Sequence, residues 1–286
     1  MKRLLSILFV SHLFCLCLKA QAQYSFITVD MPLSGVFGQG ATAINDRGRI
    51  VGGFQVSPST VLHGFLLDAK GKLTTIDVTS LGGAILGINN RGQLSGFFGD
   101  QNGIHAFLFY RGRITQIDVP GANLTEGTGI NDRGQLVGDY RDSSNVFHGF
   151  LYDDGLFVDI DFPGSSSTGL QAINNRGQIV GFSDNGSLRH AFLYDSGLFT
   201  SIDVPFVGAQ ATTPEGINDH GDIVGLYADG TGIHGFLLSE GAFTKIDVPG
   251  AFLTFVSGIN NRREIVGRYI DNQLLHHGFL GIPIRD

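Results

Sequence analysis

The chain has 286 residues, 42 glycines, no tryptophan and a formal net charge of −7. That acidic balance repels nucleic acid and anionic lipid and sets both aside as partners. The two cysteines, Cys15 and Cys17, fall in the first twenty residues, so the body of the chain has neither a disulfide nor thiolate chemistry and depends on packing.

The first element in chain order is a targeting segment. Met1-Lys2-Arg3 is basic, Leu4 to Leu18 is apolar, and Ala20-Gln21-Ala22 offers the small-x-small pattern of a signal-peptidase site. The apolar run falls short of the roughly 20 residues that span a bilayer, so a retained anchor is the weaker alternative. Residues 1–22 therefore read as a signal peptide and 23–286 as one domain, secreted or periplasmic. Removing Lys2, Arg3 and Lys19 leaves 16 basic against 26 acidic side chains, a net charge of −10.

Beyond Gln23 three phrases recur with one period. INDRGRIVG from Ile44 returns as INNRGQLSG from Ile88, INDRGQLVG from Ile130, INNRGQIVG from Ile173, INDHGDIVG from Ile217 and INNRREIVG from Ile259. A His-Gly/Ala-Phe-Leu phrase begins at His63, His105, His148, His190, His234 and His277. An Ile-Asp-Val-Pro-like phrase places Asp30, Asp77, Asp118, Asp161, Asp203 and Asp247. Each period parses into short β-branched and aromatic runs bounded by Asn, Asp, Gly and Pro, which predicts four strands per repeat. Four strands in about 43 residues match the blade of a β-propeller, whereas a β-helix rung is much shorter. YSFITVDMP at the start is a fourth strand without its first three, and the C-terminal repeat lacks its fourth. Joining them predicts an all-β, six-bladed propeller of antiparallel four-stranded blades, closed by the N-terminal strand. The Asn-Asn/Asp-Arg-Gly phrase is then the turn between first and second strands, with glycine in the left-handed position. Arg263 replaces that glycine and must accept positive φ or reshape the turn. His220 replaces the arginine at an exposed position.

HAFLF (105–109), HGFLY (148–152) and HAFLY (190–194), with INDRGQLVG and IDVPGA, resemble the bacterial extracellular repeat family named HAF. The resemblance covers residues 24–286 and implies an exported bacterial repeat protein. It carries no activity and no catalytic residue. Many relatives bear a C-terminal sorting anchor, and the chain's end at Asp286 without one favours a soluble form.

One histidine per repeat spreads around a ring too wide for ~2 Å metal bonds, so the histidines read as structural, as do the Ile-Asp-Val aspartates, which end the fourth strand and can cap the following turn. No cofactor or metal is expected. Variation between repeats should carry function. The loops from second to third strand hold Asp100, Asp142, Asp184, Asp229 and Asp271, a ring of carboxylates able to bind a cation or sugar hydroxyls, or simply good turn formers. The loops entering each repeat share that face. They add Glu126 and Glu215, Gln39 and Gln210, and Phe37, Phe206, Phe252 and Phe255, a set suited to a glycan or peptide. No Gly-x-Ser-x-Gly, His-Glu-x-x-His or phosphate-binding loop occurs. The expected function is a monomeric, non-catalytic binding or scaffold module for a glycan or extracellular protein. A carbohydrate-active hydrolase or lyase and a purely structural envelope protein are the alternatives.

Overall fold

The computed structural model describes residues 24–59, 61–79, 82–186 and 189–284. The signal segment lies outside the described residues. Among the described residues twenty-four strands run in chain order, with only turns, bends and irregular segments between them. β1 is Tyr24–Thr28. The first unit is β2 (Val36–Ile44), β3 (Ile50–Val56), β4 (His63–Leu67) and β5 (Leu73–Ile76). The second is β6 (Gly83–Ile88), β7 (Leu94–Gly99), β8 (Ile104–Tyr110) and β9 (Arg113–Ile117). The third is β10 (Leu124–Ile130), β11 (Leu136–Arg141), β12 (Phe147–Asp153) and β13 (Leu156–Asp159). The fourth is β14 (Ser167–Ile173), β15 (Ile179–Asp184), β16 (Arg189–Asp195) and β17 (Leu198–Ser201). The fifth is β18 (Ala211–Ile217), β19 (Ile223–Asp229), β20 (Gly232–Ser239) and β21 (Ala242–Ile246). The last is β22 (Leu253–Ile259), β23 (Ile265–Ile270) and β24 (His276–Pro283).

Each unit is an antiparallel meander, and β1 supplies the fourth strand of the last one, Tyr24 lying opposite Pro283 and Thr28 opposite Phe279. The strands form five sheets. Four are four-stranded, and the fifth joins the second and third units through one parallel pairing of Ile104 with Leu124. The fourth strands are shorter than the sequence suggests. β17 stops at Ser201, and the Ile-Asp-Val phrase leaves the ladder.

Hydrophobic clusters form between neighbouring units rather than within one. Val180, Ala191 and Ile202 of the fourth unit pack with Ile217, Ile223 and Phe236 of the fifth. The phenylalanine of each His-x-Phe phrase (Phe65, Phe107, Phe150, Phe192, Phe236, Phe279) is at most 2% exposed. It lies across the glycine that closes the turn phrase. A Cβ on Gly138 would meet the Glu126 carbonyl oxygen and the Phe150 ring. That glycine is therefore a packing seat and not simply a strand end.

The first asparagine of each turn phrase is 3–4% exposed and satisfies three backbone groups. Asn131 Oδ1 accepts the amides of Arg133 and Gln135, while its Nδ2 donates to the Asn174 carbonyl of the next unit. The same donation runs from Asn45 to Asn89, Asn89 to Asn131, Asn174 to Asn218 and Asn218 to Asn260. Asn260 then returns to the Asn45 carbonyl, so the cycle closes after six steps.

A second ring lies beside it. Position two of the turn alternates Asp46, Asn90, Asp132, Asn175, Asp219, Asn261, and each backbone amide donates to the next side chain's Oδ1. Every asparagine Nδ2 bridges two flanking carboxylates, as Asn90 does between Asp46 and Asp132 at 2.8 and 2.9 Å. Alternation is what allows each carboxylate to accept and each amide to donate. Only an even number of units can complete it. At the one turn lacking glycine, Arg263 takes φ +63°, and its guanidinium pairs with Asp222 of the fifth unit at 2.8 Å.

Two outcomes follow. Asn131→Ala strands buried backbone groups and should lower stability by about 1–3 kcal/mol, measured by urea unfolding. Asn90→Asp sets three carboxylates side by side. Its melting temperature should drop clearly at pH 7, and most of the deficit should vanish near pH 4 as the carboxylates protonate.

Candidate functional site

The repeated histidine and the Ile-Asp-Val aspartate meet in every unit. The pairs His63–Asp77, His105–Asp118, His148–Asp161, His190–Asp203, His234–Asp247 and His277–Asp30 lie at 2.7–3.0 Å through Nδ1. The aspartate thus reaches back to the third strand instead of capping the turn ahead. In the fourth unit its second oxygen accepts the Ala191 amide. The last pair ties the N-terminal segment to the last unit. Burial lowers the affinity of His105, His148 and His277 for a proton, but hydrogen bonds to two aspartates outweigh it and raise their pKa.

The five loop aspartates are occupied locally. Asp100 Oδ1 accepts the Asn102 amide and contacts His105 Nε2 at 3.1 Å. Asp142 accepts the Ser144 and Val146 amides, and Asp271 those of Gln273 and Leu275. Asp229 accepts both the amide and the hydroxyl of Thr231, bonds that hold its carboxyl at about 2. Asp184 faces Arg189 at 3.4 Å. Four of these carboxylates close their own hairpins through backbone amides, and among the described residues no group of three or more His, Cys, Asp or Glu side chains is placed to hold a metal ion.

The two glutamates lie elsewhere, on innermost strands. Glu126 on β10 is paired across the ladder with Asp139 on β11. Burial raises Glu126, and burial with repulsion from Glu126 raises Asp139 to about 7, Arg189 opposing. Glu215 on β18 is raised to about 7 by burial, against the pull of Arg189 and Arg268. Arg189 lies over the Phe182 ring at 3.8 Å and Arg268 over Phe255 at 4.3 Å, so both guanidinium planes are fixed by cation–π contact. On the same face of β11 as Asp139, Arg141 Nε is buried without a hydrogen-bond partner among the described residues.

A cavity of about 270 Å³ opens beside Glu215 and Arg268. Glu215, Arg268, Leu226, Phe255 and Ser257 form one part of its wall, and Gly40 and Gly53 leave room on the other. A Cβ on Gly40 would press on the Arg268 stem at 3.0 Å. An apolar enclosure with a few converging charged groups is the usual make-up of a ligand site. Of the loop aromatics, Phe37 and Phe252 are exposed, Phe206 packs on Tyr227, and Phe255 supports Arg268. Gln39 is structural, joining the Met31 amide to the His276 carbonyl. Asp139, Arg189 and Arg268 are not marked as site residues by the sequence because they sit within strands and not in the variable loops. The signal was present: at the place held by Asp139 the other units carry Gly53, Phe97, Phe182, Leu226 and Arg268.

No family model matches the chain, and no curated protein matches it. Solved structures do share its architecture. TolB from Acinetobacter baumannii aligns at a TM-score of 0.58 and 12% identity over 83% of this chain and 64% of that one. The fungal lectin from Aleuria aurantia, a six-bladed β-propeller that recognises fucose, aligns at 0.54 and 12% over 87% and 92%. Virginiamycin B lyase from Staphylococcus aureus aligns at 0.51 and 12% over 91% and 100%. The set includes a lectin and a lyase, so the likeness speaks to fold alone. The chain is similar to β-propeller proteins, and its fold is of the β-propeller type.

Proposed function

We propose that the chain is an exported six-bladed β-propeller of the HAF-repeat type that binds a glycan in the funnel around Glu215 and Arg268, as a binding module rather than an enzyme. The six-blade reading rests on the asparagine cycle that returns to its start after six units and on the even alternation beside it. Export rests on residues 1–22, and the HAF reading on the three repeated phrases. The observation that carries the binding site is Glu215 and Arg268 on one cavity of about 270 Å³ with Leu226 and Phe255 as apolar wall. Acidic and guanidinium groups together supply acceptors and donors for vicinal hydroxyls, and Phe255 offers a face for a sugar ring. In this reading Glu126 and Glu215 belong to the site, and Asp100, Asp142, Asp184, Asp229 and Asp271 hold its rim.

A lyase or hydrolase is the second reading. Asp139 and Glu215 with carboxyls near 7 have the proton affinity that general acid–base work uses at neutral pH.

Two experiments decide between these readings. A glycan array followed by titration of the best oligosaccharide should show Glu215→Gln and Arg268→Gln each weakening binding at least tenfold, ~1.4 kcal/mol. Asp142→Asn should lower the melting temperature and change affinity less than twofold. Loss of binding in Asp142→Asn with none in Glu215→Gln would move the site to the rim, and release of product fragments from the bound glycan would establish the enzyme.

Protonation supplies the other test. Carboxyls whose folded pKa is raised favour folding while protonated and oppose it as pH rises from about 4 toward 7. The melting temperatures of Glu215→Gln and Asp139→Asn should therefore gain on the parent protein between pH 5 and pH 8. An offset independent of pH would show that the folded protein does not hold these carboxyls protonated.

A further inference from the structure

The fourth unit departs from the other five at one place. In the others the repeated histidine packs against an aromatic ring of the neighbouring strand. The pairs are Phe54–His63, Phe98–His105, Tyr140–His148, Tyr227–His234 and Tyr269–His277, with centroids 4.9–5.4 Å apart. Opposite His190 the register places Ser183. The His190 side chain is accordingly 43% exposed, against 12–28% for its five counterparts.

Two further changes coincide with the missing ring. In four units the loop aspartate stands near the histidine Nε2, at 3.1–3.6 Å. Here Asp184 faces Arg189 instead, and His190 Nε2 has no partner among the described residues, while its Nδ1 is held by Asp203 at 2.8 Å. Phe162 stands where the other units carry Val78, Val119, Val204, Val248 or Met31. Its ring packs on Phe192 and Phe199 at 5.5 and 5.3 Å and forms a wall of the space that remains. That space is a pocket of about 340 Å³ lined by Phe162, Pro163, Ser165, Ser183, His190 and Ser201.

Ser183 is only 5% exposed, and among the described residues its hydroxyl makes no hydrogen bond. The hydroxyl opens onto the pocket and is free to bond a ligand there. The wall chemistry selects the ligand. The lining combines an aromatic ring and a proline with hydroxyls, the Asn185 amide and an imidazole whose other nitrogen is fixed by Asp203. Among the described residues no Lys or Arg side chain lines it.

We propose that this pocket is a second binding site, separate from the funnel, for a neutral pyranose ring. The C–H face of the sugar lies toward Phe162, and its hydroxyls engage Ser183, Ser201 and His190 Nε2. The ligand ring fills the volume that an aromatic side chain fills in the other units. This site does not depend on the funnel reading.

Saturation-transfer NMR and calorimetry with the methyl glycosides of glucose, galactose, mannose and fucose test it. At least one glycoside should bind saturably to the parent protein and to Glu215→Gln alike. Ser183→Tyr, which installs the residue used in three other units, should weaken that binding at least tenfold. The His190 imidazole resonance, identified by its loss in His190→Gln, should shift on titration and reads the site without relying on the tyrosine variant. Binding that survives in Ser183→Tyr, a His190 resonance that does not move, or no saturable binding by any glycoside would overturn the proposal. Binding lost in Glu215→Gln but kept in Ser183→Tyr would assign the sugar to the funnel and also overturn it.

Discussion

The buried carboxamide of the turn asparagine is the constraint on which the rest depends. It closes its own hairpin through two accepted amides and reaches the next unit through one donated hydrogen. Such a group is costly to bury unless all its partners are met. Every unit must therefore sit where its neighbour can receive the donation, and the spacing between units is set by hydrogen bonds of about 2.9–3.2 Å. Apolar clusters between units then supply most of the stabilisation, but they do not specify where one unit stops against the next. The alternating aspartate and asparagine ring adds a parity condition that insertion or loss of one unit would break.

With one end of each unit locked in this way, the opposite end is free to vary. The His–Asp pair still fixes the outer strands, and the loop aspartates close the hairpins. Differences therefore collect on the inner strands: Glu126 and Asp139 paired in the third unit, and Glu215 and Arg268 on the cavity wall. They collect also at one lateral position, Ser183 with His190. Burial without full pairing explains why the funnel carboxyls are raised, whereas the hairpin aspartates, fed by backbone amides, are lowered. The same residue type thus has opposite electrostatics at the two places.

Much of the architecture was legible because period, turn chemistry and strand composition all pointed one way. The N-terminal strand completing the last unit followed from the phase of YSFITVDMP, and β1 does pair with β24. The positive φ of Arg263 followed from the lost glycine. The Ile-Asp-Val aspartate was placed correctly but aimed wrongly, since a sequence does not show that it leaves the ladder to meet a histidine 13 or 14 residues earlier or, for Asp30, one near the other end of the chain. The Asp/Asn alternation stood in plain view as INDRG and INNRG. It looked like turn tolerance because its meaning lies in contacts about 43 residues apart.

The site was less legible for a related reason. A repeat invites comparison of loops, where insertions are visible, yet a strand position that changes from Gly53 to Phe97 to Asp139 to Arg268 carries more chemical variation than any of the five loop aspartates. That position belongs to neither hydrogen-bonded turn ring, so no periodic hydrogen bond of those rings fixes its residue type. The same logic singles out Ser183. Five units keep an aromatic ring there against the histidine, and the fourth unit has a small polar residue whose hydroxyl has no hydrogen-bond partner among the described residues. A fold that keeps an unfilled, polar-lined pocket beside an oriented imidazole has given up stability at a place where the other units show how to keep it. That trade is what a second binding site at Ser183 and His190 would use.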